Sequence, residues 1–353
     1  MANGEPWREH RRFALDTLKE FGLGKTRLDA TVQEEAALMV EEIGHYNGEP
    51  FDPKDVISAH VANVICSMVF RRQFKHDDPR FRGLIKIFDE SFRSAVGIAN
   101  FLPWTARLPG DPLDVGRVIA NSDALHTYCA DIVREHVETY DEHYENLEIL
   151  IQELFGAGFQ STTTALRWSI VCLTEYPEIQ ERLYREITSS IGILRPPSVL
   201  DRKSLVHVEA FYMEVFRFCN ISIISLMHSS TETVTFKGYA IPPDAAVIYD
   251  LVSVFSDPVI WGDPLEFRPD RFIDDHGKLI KRDELIPFFI GKRSCIGESL
   301  ARMELLLFLS SLVQRFRFKS PAGEEVSMAN LDGVFGLAHA PKPYRIAAFP
   351  RIG

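Results

Sequence analysis

The segment Pro287–Ala301 reads PFFIGKRSCIGESLA and carries the most specific pattern in the 353-residue chain. Cys295 stands just before an apolar run that predicts a helix. A cysteine there faces the positive end of the helix dipole and unpaired backbone N–H groups, which favour the thiolate over the thiol. Gly291 and Gly297 let the backbone turn tightly, and Phe288 can shield the sulfur from water. The segment therefore predicts a thiolate held at the start of a helix.

Composition and charge exclude several classes of protein. The chain has 46% hydrophobic and 25% charged residues, which is typical of a globular protein and not of a disordered or collagen-like one. Its 39 Lys and Arg against 50 Asp and Glu give a net charge of −11, which argues against nucleic-acid binding. The five cysteines are far apart and form no CxxC pair, so a disulfide framework, a zinc-finger motif and an oxidising compartment are disfavoured.

Most of the chain has the hydrophobic periodicity of helices. A short region that follows has the short runs of β-branched residues that are typical of strands. Helices are predicted at Trp7–Lys19, Val32–Ile43, Asp52–Phe70, Pro112–His136, Glu145–Tyr176 and from Cys295 to about Phe316. Strands are predicted at Ser229–Val234, Val234–Tyr239 and Ala245–Val252, before a proline-rich meander at Asp257–Phe272 and a C-terminal hairpin or two. The predicted fold class is mostly α (α+β).

The cysteine segment resembles the haem-binding loop of the cytochrome P-450 superfamily, closest to its microsomal family-2 clan. Phe288, Gly291, Arg293, Cys295 and Gly297 match the pattern FxxGxRxCxG, which is expected by chance about once in ten thousand chains of this length. The resemblance implies haem b (iron protoporphyrin IX) with its iron ligated by Cys295, a ligation that favours O–O cleavage. It also implies the cytochrome P-450 fold, a helical bundle around a haem with small β-sheets.

Two further motifs of the superfamily precede the cysteine in the expected order. Glu214 and Arg217 form ExxR in EVFRF, and Pro264–Phe272 matches PxxFxPxRF. An i,i+3 Glu–Arg pair alone is weak evidence, because such pairs occur on many solvated helices. In this order the resemblance implies a buried structural network of Glu214, Arg217 and Arg271 that locks the meander behind the cysteine loop.

Four residues resemble the family's ligands of the haem propionates. Trp7 and Arg11 match WxxxR and lie one helical turn apart, so they point the same way from their helix. His228 and Arg293 resemble the remaining propionate ligands. Taken singly, each is more often a packing residue than a ligand.

The long central helix carries LFGAGFQSTTTALRW, which resembles the family's oxygen-binding groove, A/G-G-x-D/E-T-T/S. Ala157 and Gly158 match, and their small size is expected to let the helix lie against the haem. Gln160 replaces the acid and Ser161 the threonine, with Thr162 following, and the resemblance gives these three the catalytic positions. Gln160 cannot exchange a proton in the useful range, which predicts slow or poorly coupled oxygen activation. A polar stripe on a buried helix is the alternative interpretation.

The resemblance runs from Trp7 to about Phe349, so residues 1–353 are interpreted as one cytochrome P-450 domain. We expect this domain to be incomplete near residues 140–146 and at the N-terminus, lacking the family's first helices and strands and its membrane anchor. Relatives reside on the cytosolic face of the endoplasmic reticulum. The first residues lack a basic stretch followed by an apolar one, and no run of about 18 apolar residues occurs in the sequence given, so this chain by itself is expected to be cytoplasmic.

These features favour a haem-thiolate monooxygenase that inserts one atom of dioxygen into a lipophilic small molecule of steroid, fatty-acid or xenobiotic type. Its electrons are expected from an NADPH-dependent flavoprotein reductase or a cytochrome b5-type donor, and it needs no nucleic acid. Arg8, Arg12 and Lys292 could form a basic docking patch for the reductase. Two alternatives stay open: a haem-thiolate isomerase or dehydratase without a reductase, suggested by Gln160, and a catalytically inactive truncated remnant.

Overall fold

The computed structural model describes residues 4–20, 26–70, 72–94, 110, 115–136, 145–329, 333–334, 336 and 338–351. The described chain is mostly helical, as predicted. Its helices are α1 (Gly4–Glu20), α2 (Thr26–Gly44), α3 (Pro53–Phe70), α4 (Pro79–Ser94), α5 (Val115–His136), α6 (Glu145–Glu175), α7 (Pro177–Ser190), α8 (Val206–Phe218), α9 (Leu251–Phe255), α10 (Pro258–Trp261) and α11 (Glu298–Arg315). No described helix is both long enough and apolar enough to cross a membrane.

Two small antiparallel sheets accompany the helices. Strand β1 (Val234–Phe236) pairs with β2 (Tyr239–Ile241), and β3 (Phe316–Lys319) pairs with β4 (Ala347–Pro350). The second sheet joins the end of α11 to the C-terminal segment, because β3 begins where α11 stops.

Proline and aspartate fix several helix ends where the sequence predicts them. Asp52 accepts a hydrogen bond from the Lys54 N–H at 2.9 Å, and α3 begins at Pro53 between them. Helix α6 ends at Glu175 because Pro177 cannot continue it, and the same proline opens α7.

The predicted strand at Ala245–Val252 is wrong. This segment forms only isolated bridges, His228 with Val247 and Ile224 with Asp250. The Asp250 carboxylate accepts a hydrogen bond from the Ser253 N–H at 3.2 Å and caps α9, so the chain turns into a helix before a strand can extend. The predicted strand at Ser229–Val234 is also absent from this described stretch, where strand pairing begins at Val234.

Helices α3, α6 and α11 form the centre of the hydrophobic core. Residues 56–66 of α3 and 304–314 of α11 are buried on all sides of their helices. Residues 162–173 of α6 are buried in the same way, whereas Ala157 is exposed and Ser161 half-buried. These two residues lie one turn apart, so they form one solvent-accessible face of the central helix, which we call the open face of α6.

Candidate functional site

The loop before α11 presents the side chain of Cys295 to solvent. The Cys295 N–H donates to the Phe288 carbonyl at 2.9 Å, and the Ser294 N–H donates to the Gly291 carbonyl at 3.2 Å. Gly291 has a φ of +76°, a left-handed conformation that favours glycine. The closed loop leaves the Cys295 thiol exposed just ahead of the first turn of α11.

Competing effects set the protonation of the Cys295 sulfur. The protein packed beside the thiol raises its pKa, and this outweighs the hydrogen bonds that the sulfur accepts from the Gly297 and Glu298 N–H groups. The N–H groups at the start of α11 thus favour the thiolate as predicted, but the partial burial of the sulfur outweighs them. A bound metal cation would displace the proton, since metal ligation requires the deprotonated sulfur.

Gly297 and Phe288 support the loop differently. Gly297 has an ordinary φ of −90°, and a Cβ there would lie 3.8 Å from the cysteine sulfur, so glycine keeps that side of the sulfur open. Phe288 is half-buried, with its ring centroid 5.2 Å from that of Phe216 on α8. The Arg302 guanidinium of α11 lies 5.0 Å from the same ring, so Phe288 joins the loop to both helices.

Tertiary structure brings α1 and the cysteine loop together. The Arg293 guanidinium lies 3.9 Å from the centroid of the Trp7 ring, and Arg11 Nη2 donates to the Ser294 carbonyl at 2.9 Å. Burial and the neighbouring charge of Arg11 lower the pKa of Arg293. Two guanidinium groups beside an exposed thiol suit the carboxylates of a haem propionate.

His228 lies against the other end of the loop. Its ring centroid is 5.1 Å from that of Phe289, which has a φ of +61°. Its Nδ1–H donates to the Leu226 carbonyl at 2.7 Å, which leaves Nε2 for another partner. The structure thus places His228 beside the loop, and its predicted contact with a propionate stays a prediction.

Ala157 and Ser161 form the open face of α6. The Ser161 hydroxyl donates to the Ala157 carbonyl at 2.7 Å. Gly158 is turned away from this face, because a Cβ there would come within 2.9 Å of Ile65 Cδ1 on α3. The small size of Gly158 is thus required by the packing of α6 on α3. That it also lets the helix approach the haem stays a prediction.

Gln160 and Thr162 contact neighbouring helices instead of the open face. Gln160 Nε2 donates to Asp89 on α4 at 3.1 Å, and Asp89 pairs with Lys54 at 2.7 Å. The Thr162 hydroxyl donates to Glu304 on α11 at 3.0 Å. Of the three predicted catalytic residues, only Ser161 is placed on the open face. Sequence reasoning missed Asp89 and Glu304, which lie outside the motifs.

Glu304 is a fully buried acid whose Oε2 accepts from Thr162 and whose Oε1 has no hydrogen-bond partner in the described structure. Burial raises its pKa to about 8, so the carboxyl is protonated near neutral pH. The helix pair α6 and α11 is thus joined by a neutral acid close to the open face of α6.

Replacing Glu304 with glutamine is expected to flatten the pH dependence of stability. A folded-state pKa of about 8, above the ordinary value of 4.5, means that the folded protein binds more protons between these pH values. Wild-type stability should therefore fall as pH rises through this window, by roughly 3–5 kcal/mol at most. Urea unfolding at several pH values between about pH 5 and about pH 8 measures how the free energy of unfolding depends on pH.

The exposed Glu178 in the first turn of α7 supplies the matched control. Glu178→Gln removes a solvated carboxyl and should leave the slope as in wild type. Equal slopes in Glu304→Gln and wild type would show that Glu304 does not titrate in this range.

The predicted network of Glu214, Arg217 and Arg271 is present and buried. Glu214 accepts from Arg217 Nε and Nη2, both at 2.8 Å, from Arg271 Nε at 3.0 Å and from the Arg268 N–H at 2.9 Å. The remaining guanidinium N–H groups donate to oxygens of Phe255, Trp261, Asp263, Pro264 and Glu266. This network fixes the meander to α8.

A mostly helical fold with an exposed cysteine just ahead of a helix and paired arginines beside it fits a haem-thiolate protein. The chain belongs to the cytochrome P450 family, because the family model for cytochrome P450 matches residues 1–144 and 141–348. It is similar to cytochrome P450 2D27 of Mesocricetus auratus, cytochrome P450 2D6 of Homo sapiens and cytochrome P450 2D26 of Rattus norvegicus. Each is 33% identical over 378 residues, covering 99% of this chain and 75% of the relative.

Family membership confirms the resemblance and the predicted class of enzyme. Cytochromes P450 use haem b with a cysteine-ligated iron, and this chain is an oxidoreductase of that family, a haem monooxygenase that acts on lipophilic substrates. The predicted gap near residues 140–146 stays a prediction, since residues 140–144 lie outside the described part of the chain.

Proposed function

We propose that this chain inserts one atom of dioxygen into a lipophilic small molecule at a haem b ligated by Cys295, with electrons from an NADPH-dependent flavoprotein reductase. The observation that carries the proposal is the exposed Cys295 thiol at the start of α11, with Arg11 and Arg293 beside it. When bound, the haem supplies the activation of dioxygen that amino-acid side chains cannot provide.

The residues around the cysteine bind and orient the cofactor. Cys295 ligates the iron, and the Gly297 and Glu298 N–H groups stabilise the sulfur's negative charge. Arg11 and Arg293 pair with the propionates, while Trp7 holds the Arg293 guanidinium by a cation–π contact at 3.9 Å. His228 contributes a further polar contact from the segment before β1.

Ser161 is the residue of α6 that assists oxygen activation. Its hydroxyl donates to the Ala157 carbonyl, and rotation about its side-chain bond would present the same O–H on the open face of α6. Gln160 is tied to Asp89 and carries no exchangeable carboxyl proton, so protons must reach Ser161 through water. We therefore expect poorly coupled turnover, in which part of the electrons from NADPH is lost to hydrogen peroxide instead of forming product.

Reductase docking is assigned to the outer side of α1 and the cysteine loop. Arg8, Arg12 and Lys292 are exposed there, and Arg8 forms a solvated pair with Glu5 at 3.0 Å. Exposed basic side chains steer an acidic partner at long range. The cytochrome b5-type donor would use the same surface, on the cytosolic face of the endoplasmic reticulum by analogy with microsomal relatives.

Product formation that requires NADPH and the reductase is the test of this function. Purified haem-loaded chain, reductase and a panel of lipophilic compounds should consume NADPH and release an oxygenated product. Turnover of a lipid hydroperoxide without NADPH would instead indicate an isomerase or dehydratase. Absence of haem absorbance in the purified chain would indicate an inactive remnant.

Two exchanges at Ser161 are expected to affect coupling differently. Ser161→Ala removes the hydroxyl from the open face and should raise the fraction of NADPH electrons recovered as hydrogen peroxide, with product formation falling by about 10-fold or more. Ser161→Thr keeps the hydroxyl and should preserve coupling. Peroxide and product, measured per NADPH consumed, check the prediction.

The matched control is Thr163→Val, because the Thr163 hydroxyl is buried and has no hydrogen-bond partner in the described structure. It should leave the ratio of peroxide to product unchanged. A Ser161→Ala enzyme that couples as well as wild type would remove Ser161 from the mechanism.

A further inference from the structure

A second cluster of potential ligands lies between α2, α3 and the turn before α4, in residues that the haem site does not use. Glu35 and Glu42 lie two turns apart on α2, so they face the same side of that helix. His60 is in the middle of α3, and His76 is in the turn between α3 and α4. We call these four residues the His–Glu cluster.

Each histidine of the cluster contacts both carboxylates. Glu35 Oε2 lies 2.9 Å from His60 Nδ1 and 3.6 Å from His76 Nε2. Glu42 Oε2 lies 3.2 Å from the other nitrogen of each ring, His60 Nε2 and His76 Nδ1. The two rings meet edge to face with centroids 4.0 Å apart. Both imidazoles thus turn one nitrogen towards Glu35 and the other towards Glu42.

The charges of the cluster require cations. Glu35 and His60 are fully buried, whereas Glu42 is partly exposed, so the buried Glu35 carboxylate in particular needs a positive partner, either a protonated histidine or a metal cation. Glu35 Oε1 is buried and has no hydrogen-bond partner in the described structure, so one ligand oxygen is still available.

We propose that Glu35, His60 and His76 bind one divalent transition-metal ion, of which Zn²⁺ is the best match, and that Glu42 orients both histidines. The ligand atoms of the three residues lie within 4.8 Å of one another. Tetrahedral Zn²⁺ with bonds of about 2.0 Å has ligands about 3.3 Å apart, a value between the two Glu35 distances. Nitrogen and carboxylate oxygen are the ligands that this ion takes.

Glu42 fits the role of an outer carboxylate. Histidines that ligate a metal usually donate their other ring N–H to a carboxylate, which fixes the tautomer and raises ligand basicity. Glu42 accepts in this way from both rings. Glu35 Oε1 or a water completes the coordination, and the partly exposed His76 and Glu42 leave a path from solvent.

A metal here would join three segments of the chain. Asn63 on α3 already holds the segment before α4, with its amide donating to the Phe74 carbonyl at 2.8 Å and accepting from the Phe74 N–H at 2.9 Å. This clamp keeps His76 close to His60 before any ion binds. The site is thus preorganised and stabilises the packing of α2 on α3.

Zinc titration of the haem-loaded full chain tests the proposal, because haem occupies Cys295 and the other cysteines are buried. After chelator treatment, calorimetry with Zn²⁺ and metal analysis after dialysis should both show one equivalent. His76→Gln, at a partly exposed position that tolerates the change, should lose that equivalent. Glu42→Gln should weaken binding by about 10–100-fold.

His45→Gln is the matched control, since His45 is an exposed histidine just beyond the end of α2. It should bind zinc like wild type, and the haem spectrum reports that each variant is folded. Equal zinc binding in His76→Gln and His45→Gln would place the ion elsewhere. No binding by wild type would show that protons alone balance the cluster, and either result overturns the proposal.

Discussion

Cys295→Ser is expected to abolish the strongly red-shifted Soret band of the reduced carbon-monoxide complex and, with it, monooxygenase activity. Serine keeps the size of the side chain but supplies no thiolate, and the thiolate is what pushes electron density onto the iron. Product formation should fall by more than about 10–100-fold, which is the loss expected when only a residue that hydrogen-bonds to a metal ligand is removed. Carbon-monoxide difference spectra and product assays with the reductase measure both effects.

The matched control is Cys129→Ala, which removes a buried cysteine from α5 and should keep the spectrum. A Cys295→Ser protein that retained the red-shifted band would contradict the assignment of Cys295 as the iron ligand. Loss of the band in both variants would point to general damage of the fold, and near-ultraviolet circular dichroism distinguishes that outcome.

Glu214→Gln is expected to destabilise the protein by about 3–5 kcal/mol, because it leaves the charges of Arg217 and Arg271 buried without their shared carboxylate. A typical domain is stable by only about 5–15 kcal/mol, so the variant should unfold at much lower urea concentration. It should also lose haem, since the network fixes the meander that precedes the cysteine loop. Urea unfolding and haem retention measure the change.

Asp270→Asn supplies the matched control within the meander. Asp270 pairs with Arg182 at 2.9 Å, and both side chains are exposed. An exposed pair contributes about 1 kcal/mol or less, so this variant should unfold close to wild type. If Glu214→Gln cost no more than Asp270→Asn, the buried network would not stabilise the fold.

The sequence predicts the structural network because all its members lie in recognisable motifs. Glu214 and Arg217 are one helical turn apart, and Arg271 lies at a fixed place in PxxFxPxRF. The structure adds the contacts that complete it, such as the bond from the Arg268 N–H to Glu214. Backbone partners of this kind depend on the path of the meander, which no residue pattern specifies.

Helix α6 shows where motif reasoning is insufficient. The pattern aligns Gln160 and Thr162 with oxygen-activating residues, but their partners are Asp89 and Glu304 on other helices. A position in a helical motif fixes only the direction of a side chain from the axis. Which neighbour packs on that side decides whether the side chain faces an opening or the core.

The sequence by itself determined the family, the mostly helical fold class and the cysteine loop, because these depend on local backbone needs and on the chemistry of one sulfur. Only the tertiary structure decided the partners of Gln160, 71 residues from Asp89, and of Thr162, 142 residues from Glu304. The same holds for the His–Glu cluster, where His60 meets a glutamate 25 residues away. Burial makes such pairings strong, and burial arises only when distant helices pack together.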